Sequence, residues 1–371
     1  MVVRIFGISV AVSIVSLVVA FLYGSWEAVA LCAILGVLEV SLSFDNAVIN
    51  ATVLERMSEF WQKIFLTVGI LIAVFGMRLL FPLVIVWITA GLNPVRAFDL
   101  AMNPPAEGSG QESYEQILTD AHPQIAAFGG MFLFMLFLNF ILSERETTWL
   151  DWLEKPLAAI GRLDQLAVVI AGGTLVLVAE FLADDTHRAT ILISGTLGMI
   201  TYITVDGLGS LFHTEQIGDA DGEEVAGGSS ARGPSAAVKA TGKAAFFLFL
   251  YLEVLDASFS FDGVIGAFAI TADPIIIALG LGFIGAMFVR SITIYLVRTG
   301  TLAEYRYLEH GAHWAIGALA VILFVSIEYH INEVITGLVG VAFIGAALLS
   351  SIAANRRENA AEPTPDRTPV G

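Results

Sequence analysis

Two stretches of the chain carry acids at matching intervals inside apolar runs. The first reads Leu38-Glu39-Val40-Ser41-Leu42-Ser43-Phe44-Asp45-Asn46, the second Leu255-Asp256-Ala257-Ser258-Phe259-Ser260-Phe261-Asp262-Gly263. They align without a gap, Glu39 on Asp256, Asp45 on Asp262, and Ser-x-Ser-Phe-Asp on itself. Glu253 adds a fifth acid one turn before Asp256. A carboxylate at the centre of a bilayer costs at least about 2.5–3.5 kcal/mol. Five of them require an offset: a bound cation, protonation, or pairing with Arg78 and Arg290, the two arginines that fall inside apolar runs. Helical spacing puts Glu39, Ser43, Asn46 and Asn50 on one face, and Glu253, Asp256 and Ser260 on one face of the second segment. Asp45 stands about 120° away, over Ser41. Such segments belong in a bundle interior, or are broken near Ser-Phe-Asp so that backbone carbonyls also face a cavity. Carboxylate, hydroxyl, amide and carbonyl oxygens form a hard-oxygen set suited to Mn²⁺, Ca²⁺ or Mg²⁺ rather than to copper or structural zinc. Neither motif contains Cys or His. The competing reading is that acids and arginines form buried ion pairs that fix helix register. Two arginines cannot neutralise five acids, and buried pairs are uncertain stabilisers.

The elements that must hold these groups are membrane helices. Of 371 residues, 57% are hydrophobic and 14% charged, against about 45–50% and about 25% in soluble domains. The apolar residues gather in runs of about 18 or more, enough to cross a ~30 Å hydrocarbon layer. Ten spans are predicted, at 5–22, 27–54, 64–90, 125–142, 166–183, 189–212, 244–270, 274–297, 314–330 and 334–353. Arg4, an apolar core and Ala28-Val29-Ala30 resemble a secretory signal, but the length of that core favours an uncleaved first span. With both termini in the cytoplasm, fourteen Lys and Arg fall on inside segments and only Arg96 and Arg188 outside, as the positive-inside rule expects.

The two motif spans are five helices apart and therefore antiparallel. The following spans also match, Gly76-Met77-Arg78 against Gly285-Ala286-Met287 with Arg290 just beyond. The expectation is an all-α polytopic membrane helix bundle of about ten transmembrane helices in a 5+5 inverted-topology repeat. It forms a single transmembrane domain over residues 1–354, with repeat one at about 5–183, repeat two at about 189–353, and a disordered cytoplasmic tail at 355–371. Secondary transporters built this way bind substrate near the midplane, at the repeat interface. Segments 91–122 and 213–242 read as flexible connectors.

The charge balance of −17, with 35 acids against 18 bases, excludes nucleic acid as a partner and suits a prokaryotic, halophilic source. The single Cys32 excludes an intramolecular disulfide and a thiolate cluster. Among other polar residues, Asp206 is a candidate for an ion path. Asn139 reads as an interhelical hydrogen bond, and Glu180, Asp184 and Asp185 as solvated helix-end acids. His310 and His313 fall in an inside loop and His330 at a membrane edge, all three interfacial rather than metal-binding. Trp149 and Trp152 read as an aromatic belt.

The segment Leu38 to Asn46 resembles the first signature of the TerC (tellurium-resistance C) family of membrane proteins. Phe259-Ser260-Phe261-Asp262-Gly263-Val264-Ile265-Gly266-Ala267-Phe268-Ala269-Ile270-Thr271 is similar to its second. The match spans roughly 27 to 330 and is nearest to a branch described as a domain of unknown function. The resemblance implies export of a divalent cation across the cell membrane, manganese favoured, and a role in metal or tellurite stress. It carries ligand roles to Glu39, Asp45, Asn46 and Asp262. The family's second signature has Ser and then Pro after its Asp; here Gly263 and Gly266 stand instead. With Asp256 added from its alignment on Glu39, these five are the expected metal ligands. Ser43, Arg78, Asp206, Glu253, Ser260 and Arg290 are the expected ion-path residues or charge partners. No enzymatic activity and no organic cofactor are expected, the cation being substrate. The alternative is a non-transporting membrane scaffold or metal-sensing partner for soluble cytoplasmic stress proteins, docking through 213–242.

Overall fold

A computed structural model describes residues 2–361 apart from 70, 90–91, 104, 106–109, 146, 164, 224–238, 269, 272 and 330. Its helices are α1 (Val2–Leu42), α2 (Phe44–Glu55), α3 (Glu59–Ile64), α4 (Phe81–Thr89), α5 (Pro94–Met102), α6 (Tyr114–Ile141), α7 (Asp151–Ile160) and α8 (Leu166–Phe181). There follow α9 (Arg188–Glu223), α10 (Gly242–Phe268), α11 (Pro274–Ile277), α12 (Ala286–Thr299), α13 (Thr301–Glu304), α14 (Leu308–Val325) and α15 (Glu333–Ala361). Wider π-helical turns occupy Phe65–Gly69 and Ile72–Leu80 before α4, and Ala278–Gly285 between α11 and α12. Among the described residues there is no strand, only an isolated bridge between Met57 and Ala240. Among the described residues, seven helices are long and apolar enough to cross a membrane. The surface agrees: Leu22, Val169, Phe181 and Leu338 are each more than 60% exposed, an apolar exterior that water would not tolerate but lipid does.

Helix α1 changes direction at Gly24-Ser25, where Ser25 has φ +62°. Contacts with the segment 273–295 give the sense of each half. Ser9 bonds to Ser291 and Tyr23 to Asp273, so the N-terminal half runs opposite to that segment. Leu35 abuts Gly280, and Glu39 abuts Gly285, so the C-terminal half runs with it. The two halves thus run in opposite senses, over the residues where spans 5–22 and 27–54 are predicted. The second of these is interrupted at Ser43, between α1 and α2. Helix α10 passes through its own Ser-Phe-Asp unbroken.

The motif helices are antiparallel. Glu39 abuts Gly263, Asn46 bonds to Asp256, and Arg56 accepts from the Ala240 amide, so one number falls as the other rises. The principal core forms where α2, α6, α9, α10 and α14 meet, around Phe132, Leu252 and Ile316.

Several expectations need correction. The fourth span begins at Tyr114 rather than 125, because Ser113 and Gln116 close a reciprocal capping box there. The connector 91–122 holds α5, capped by Asn93 and started by Pro94. Helix α9 extends to Glu223 within the expected connector 213–242, of which 224–238 lie outside the described residues. Helix α15 continues through Ala361, so the tail expected from 355 is helical at first, and 362–371 lie outside the described residues.

The ninth span runs over Leu308–Val325 rather than 314–330. His310 and His313, expected in an interfacial loop, are buried helical residues at 4% and 6% exposure. His330 lies outside the described residues. The apolar run did not reveal this shift because the two histidines pack on a neighbouring helix, His313 stacked on Phe140. The acids at the end of α8 are solvated as expected, with Glu180 and Asp185 near Arg188. Asn139 donates to the Tyr202 hydroxyl at 2.9 Å, the interhelical bond expected of it.

Helix α7 lies outside the spans and is held down by a buried acid. Glu154 Oε1 accepts from Trp314 Nε1 at 3.1 Å, and Oε2 accepts from the Trp149 amide at 2.9 Å. His310 Nδ1 stands 3.0 Å from Oε2. Burial pushes the Glu154 carboxyl upward, but His310, Trp314 and Trp149 prevail and hold it at about 2. A depressed carboxyl stabilises the fold above its unfolded value and loses that contribution as pH falls through its folded value. The thermal midpoint should therefore drop as pH falls from about 4.5 to about 2. Glu154→Gln should start lower at neutral pH and lack that part of the slope; parallel pH profiles for parent and variant would contradict this.

Candidate functional site

The two acid motifs face each other inside the bundle. Glu39, Ser43, Asn46 and Asn50 are between 1% and 6% exposed, and Glu253, Asp256 and Ser260 between 3% and 7%. Both expected faces therefore point inward. Asp45 and Asp262 belong to α2 and α10, but their side chains lie outside the described residues.

Glu39 is the best-satisfied acid. Its Oε1 accepts from Ser43 Oγ at 2.7 Å and from the Arg78 guanidinium, which closes a buried ion pair. Asn46 Nδ2 donates to Asp256 Oδ1 at 2.7 Å, joining the first motif to the second. Glycine allows the close approach around these groups. A Cβ on Gly285 would lie 2.1 Å from Glu39 Cγ, and one on Gly69 would lie 2.7 Å from Glu253 Oε1. Each of these glycines ends a π-helical segment. Wide turns of this kind are rare and frequent at functional sites.

Beside the Glu39–Arg78 pair is a cavity of about 30 Å³, room for about two waters or one partly hydrated ion. Asn50, Arg78, Glu253, Asp256, Arg290 and Thr293 line its polar side. Both Glu253 oxygens, Asp256 Oδ2 and Asn50 Oδ1 have no hydrogen-bond partner among the described residues. Arg290 enters from α12 and donates through Nε to the Leu66 carbonyl at 2.9 Å, so its described bond is to backbone rather than to a carboxylate. With all groups charged, Glu39, Glu253 and Asp256 outnumber Arg78 and Arg290 by one.

The structure thus brings together Glu39, Ser43, Asn46, Arg78, Glu253, Asp256, Ser260 and Arg290. It does not bring Asp206, which lines a separate cavity of about 190 Å³ with Arg56, Tyr202, Tyr251, Arg145 and Glu309. No group of three or more His, Cys, Asp or Glu is placed to hold a metal among the described residues. Asn50 and Thr293 enter the cavity wall without having been expected as site residues. Asn50 was legible, since it continues the Glu39 face by one turn. Thr293 was not, because Thr is ordinary on a membrane helix and its place depends on how α12 packs.

The chain belongs to the family described as Protein of unknown function (DUF475), whose model matches residues 44–358. No curated protein and no solved structure matches it.

Breaking a buried ion pair from one side strands the other charge and typically costs about 3–5 kcal/mol. Arg78→Leu should therefore lower the denaturation midpoint in detergent strongly, and Glu39→Leu added to it should recover most of the loss. Additive losses in this double-mutant cycle would mean that the pair is not formed.

Proposed function

We propose that the chain is a secondary transporter that exports a divalent cation, manganese favoured, through the carboxylate site between the two motif helices. The observation that carries this reading is the pair Glu253 and Asp256: buried acids with unpartnered oxygens on a cavity inside an apolar bundle. Leaving such charges uncompensated is expensive, so a cation or protons must accompany them in the working protein. Hard oxygens at Glu253, Asp256, Asn46 and Asn50 suit Mn²⁺, Mg²⁺ or Ca²⁺. Asp45 and Asp262 add two carboxylates by sequence to the same helices. Metal binding needs the carboxylates deprotonated, so the same acids couple export to proton entry.

The geometry also supports the 5+5 inverted repeat. The alignment pairs Glu39 with Asp256 and Asn46 with Gly263. Exchanging partners under it converts the Glu39–Gly263 approach into the Asp256–Asn46 bond, and both contacts are present. A two-fold axis in the membrane plane produces that relation. The π-helical turns at Ile72–Leu80 and Ala278–Gly285 fall in the matching third and eighth spans. The basic-residue bias supports both termini being cytoplasmic in a cell membrane, and the resemblance to TerC proteins agrees with a metal-export role.

A second reading, in which the acids only fix helix register through ion pairs, is favoured by the Glu39–Arg78 pair. Flux separates the two. Purified protein in vesicles loaded with a manganese-quenched dye should admit Mn²⁺, faster with an opposing proton gradient. Asp256→Asn and Asp262→Asn should each slow it by about tenfold or more, ligand loss costing at least what outer partners cost. Variants that fold and transport at the parent rate would leave the acids a structural role only.

A further inference from the structure

Basic residues are scarce in this chain, 18 against 35 acids, yet four of them line a single cavity of about 570 Å³. Arg145, Lys155, Arg162 and Arg306 stand there with the Thr147 and Thr148 hydroxyls. Glu144 and Asp151 are the acids of the lining, so the lining itself carries two more bases than acids. Lys155 and Arg162 are held loosely, whereas Arg145 and Arg306 pair with acids outside the lining, Glu309 at 3.6 Å and Glu358. Lys155–Asp151 and Arg162–Glu144, both at 2.6 Å, join side chains that are each at least 60% exposed. Exposed pairs of this kind contribute little and exchange readily for another anion.

Helix α7 fixes the depth of this cavity. Its periodicity divides it into three faces. Glu154 and Leu157 dock on the bundle, Glu154 through Trp314 and Trp149 and Leu157 against the principal core. Asp151, Lys155, Ala158 and Arg162 line the cavity. The third face, Trp152, Pro156 and Ile160, continuing to Leu163, is exposed, with Trp152 at 75%, Ile160 at 52% and Leu163 at 63%. A short helix with one apolar exposed face beside one basic face lies in the plane of a membrane interface, its aromatic residue at headgroup level. That places acyl chains against Trp152 and Ile160, and the phosphate layer at the mouth of the cavity.

We propose that this cavity is a binding site for the phosphodiester headgroup of an anionic phospholipid, on the side that the basic-residue bias assigns to the cytoplasm. Basic pockets at this depth take such headgroups. Arg162 and Arg145 offer planar donors to phosphate oxygens, Lys155 a point charge, and Thr147 a hydroxyl, the Thr148 hydroxyl being donated to Asp151. The lipid thereby clamps α7 to the start of α14, the helix that carries His310, Trp314 and part of the bundle core.

The test is binding to the intact protein in detergent, read by native mass spectrometry and by thermal midpoint. Phosphatidylglycerol should be retained and should raise the midpoint, while phosphatidylcholine and glycerol phosphate should do neither. Selectivity for phosphatidylglycerol should fall about fivefold for each of Lys155→Gln and Arg162→Gln, with the lipid-free midpoint within a few degrees of the parent's. Equal retention of the two lipids by the parent protein would overturn the proposal whether or not the variants fold. Glycerol phosphate acting as well as the lipid would overturn it too, by making this a site for a soluble anion.

Discussion

The structure turns on the cost of keeping carboxylates in an apolar bundle. Glu39, Glu253 and Asp256 are buried, and each would be unstable there as a lone charge. Glu39 is offset by Arg78 and Ser43. Among the described residues, Asp256 is half satisfied, by Asn46, and both Glu253 oxygens are unpartnered. Among the described residues, the unpartnered oxygens of Glu253 and Asp256 face one small cavity. A chain under no demand but stability would put apolar residues at these positions, often at no loss.

The neighbouring elements are shaped around this deficit. Gly285 lets a π-helical segment lie flat against Glu39, and Gly69 does the same beside Glu253. The turn at Ser43 divides the first motif helix where its hydroxyl meets Glu39. Antiparallel motif helices then put the acid of each beside the other's small or amide residue, Glu39 at Gly263 and Asp256 at Asn46. On the transporter reading proposed above, a guest cation between them is approached by both halves alike, and rocking one half against the other opens the site to either side in turn.

Much of this arrangement was legible in the amino-acid sequence, for physical reasons. Acids at matched intervals in apolar runs have one economical explanation, an inward face, and Glu39, Asn46, Glu253 and Asp256 are all inward. An odd separation, five spans from the second to the seventh, predicts antiparallel motif helices, and their contacts run antiparallel. Less legible was whatever depends on how helices meet. Arg78 and Arg290 read alike, yet Arg78 reaches a carboxylate while Arg290 bonds to the Leu66 carbonyl. Asp206 reads as part of the same ion path but faces a different cavity. Wide π turns have no composition signal, and His310 and His313 look like loop residues until Phe140 and Glu154 are seen packed against them.

On the proposed function, a positive guest completes the Glu253–Asp256 cavity. Calorimetric titration of Mn²⁺ into the purified protein tests this most directly, repeated in buffers of different ionisation enthalpy to count protons released. Saturable binding with proton release, absent when Glu253→Gln and Asp256→Asn are combined, is expected. Equal binding by that variant, or no saturable binding by the parent, would contradict it.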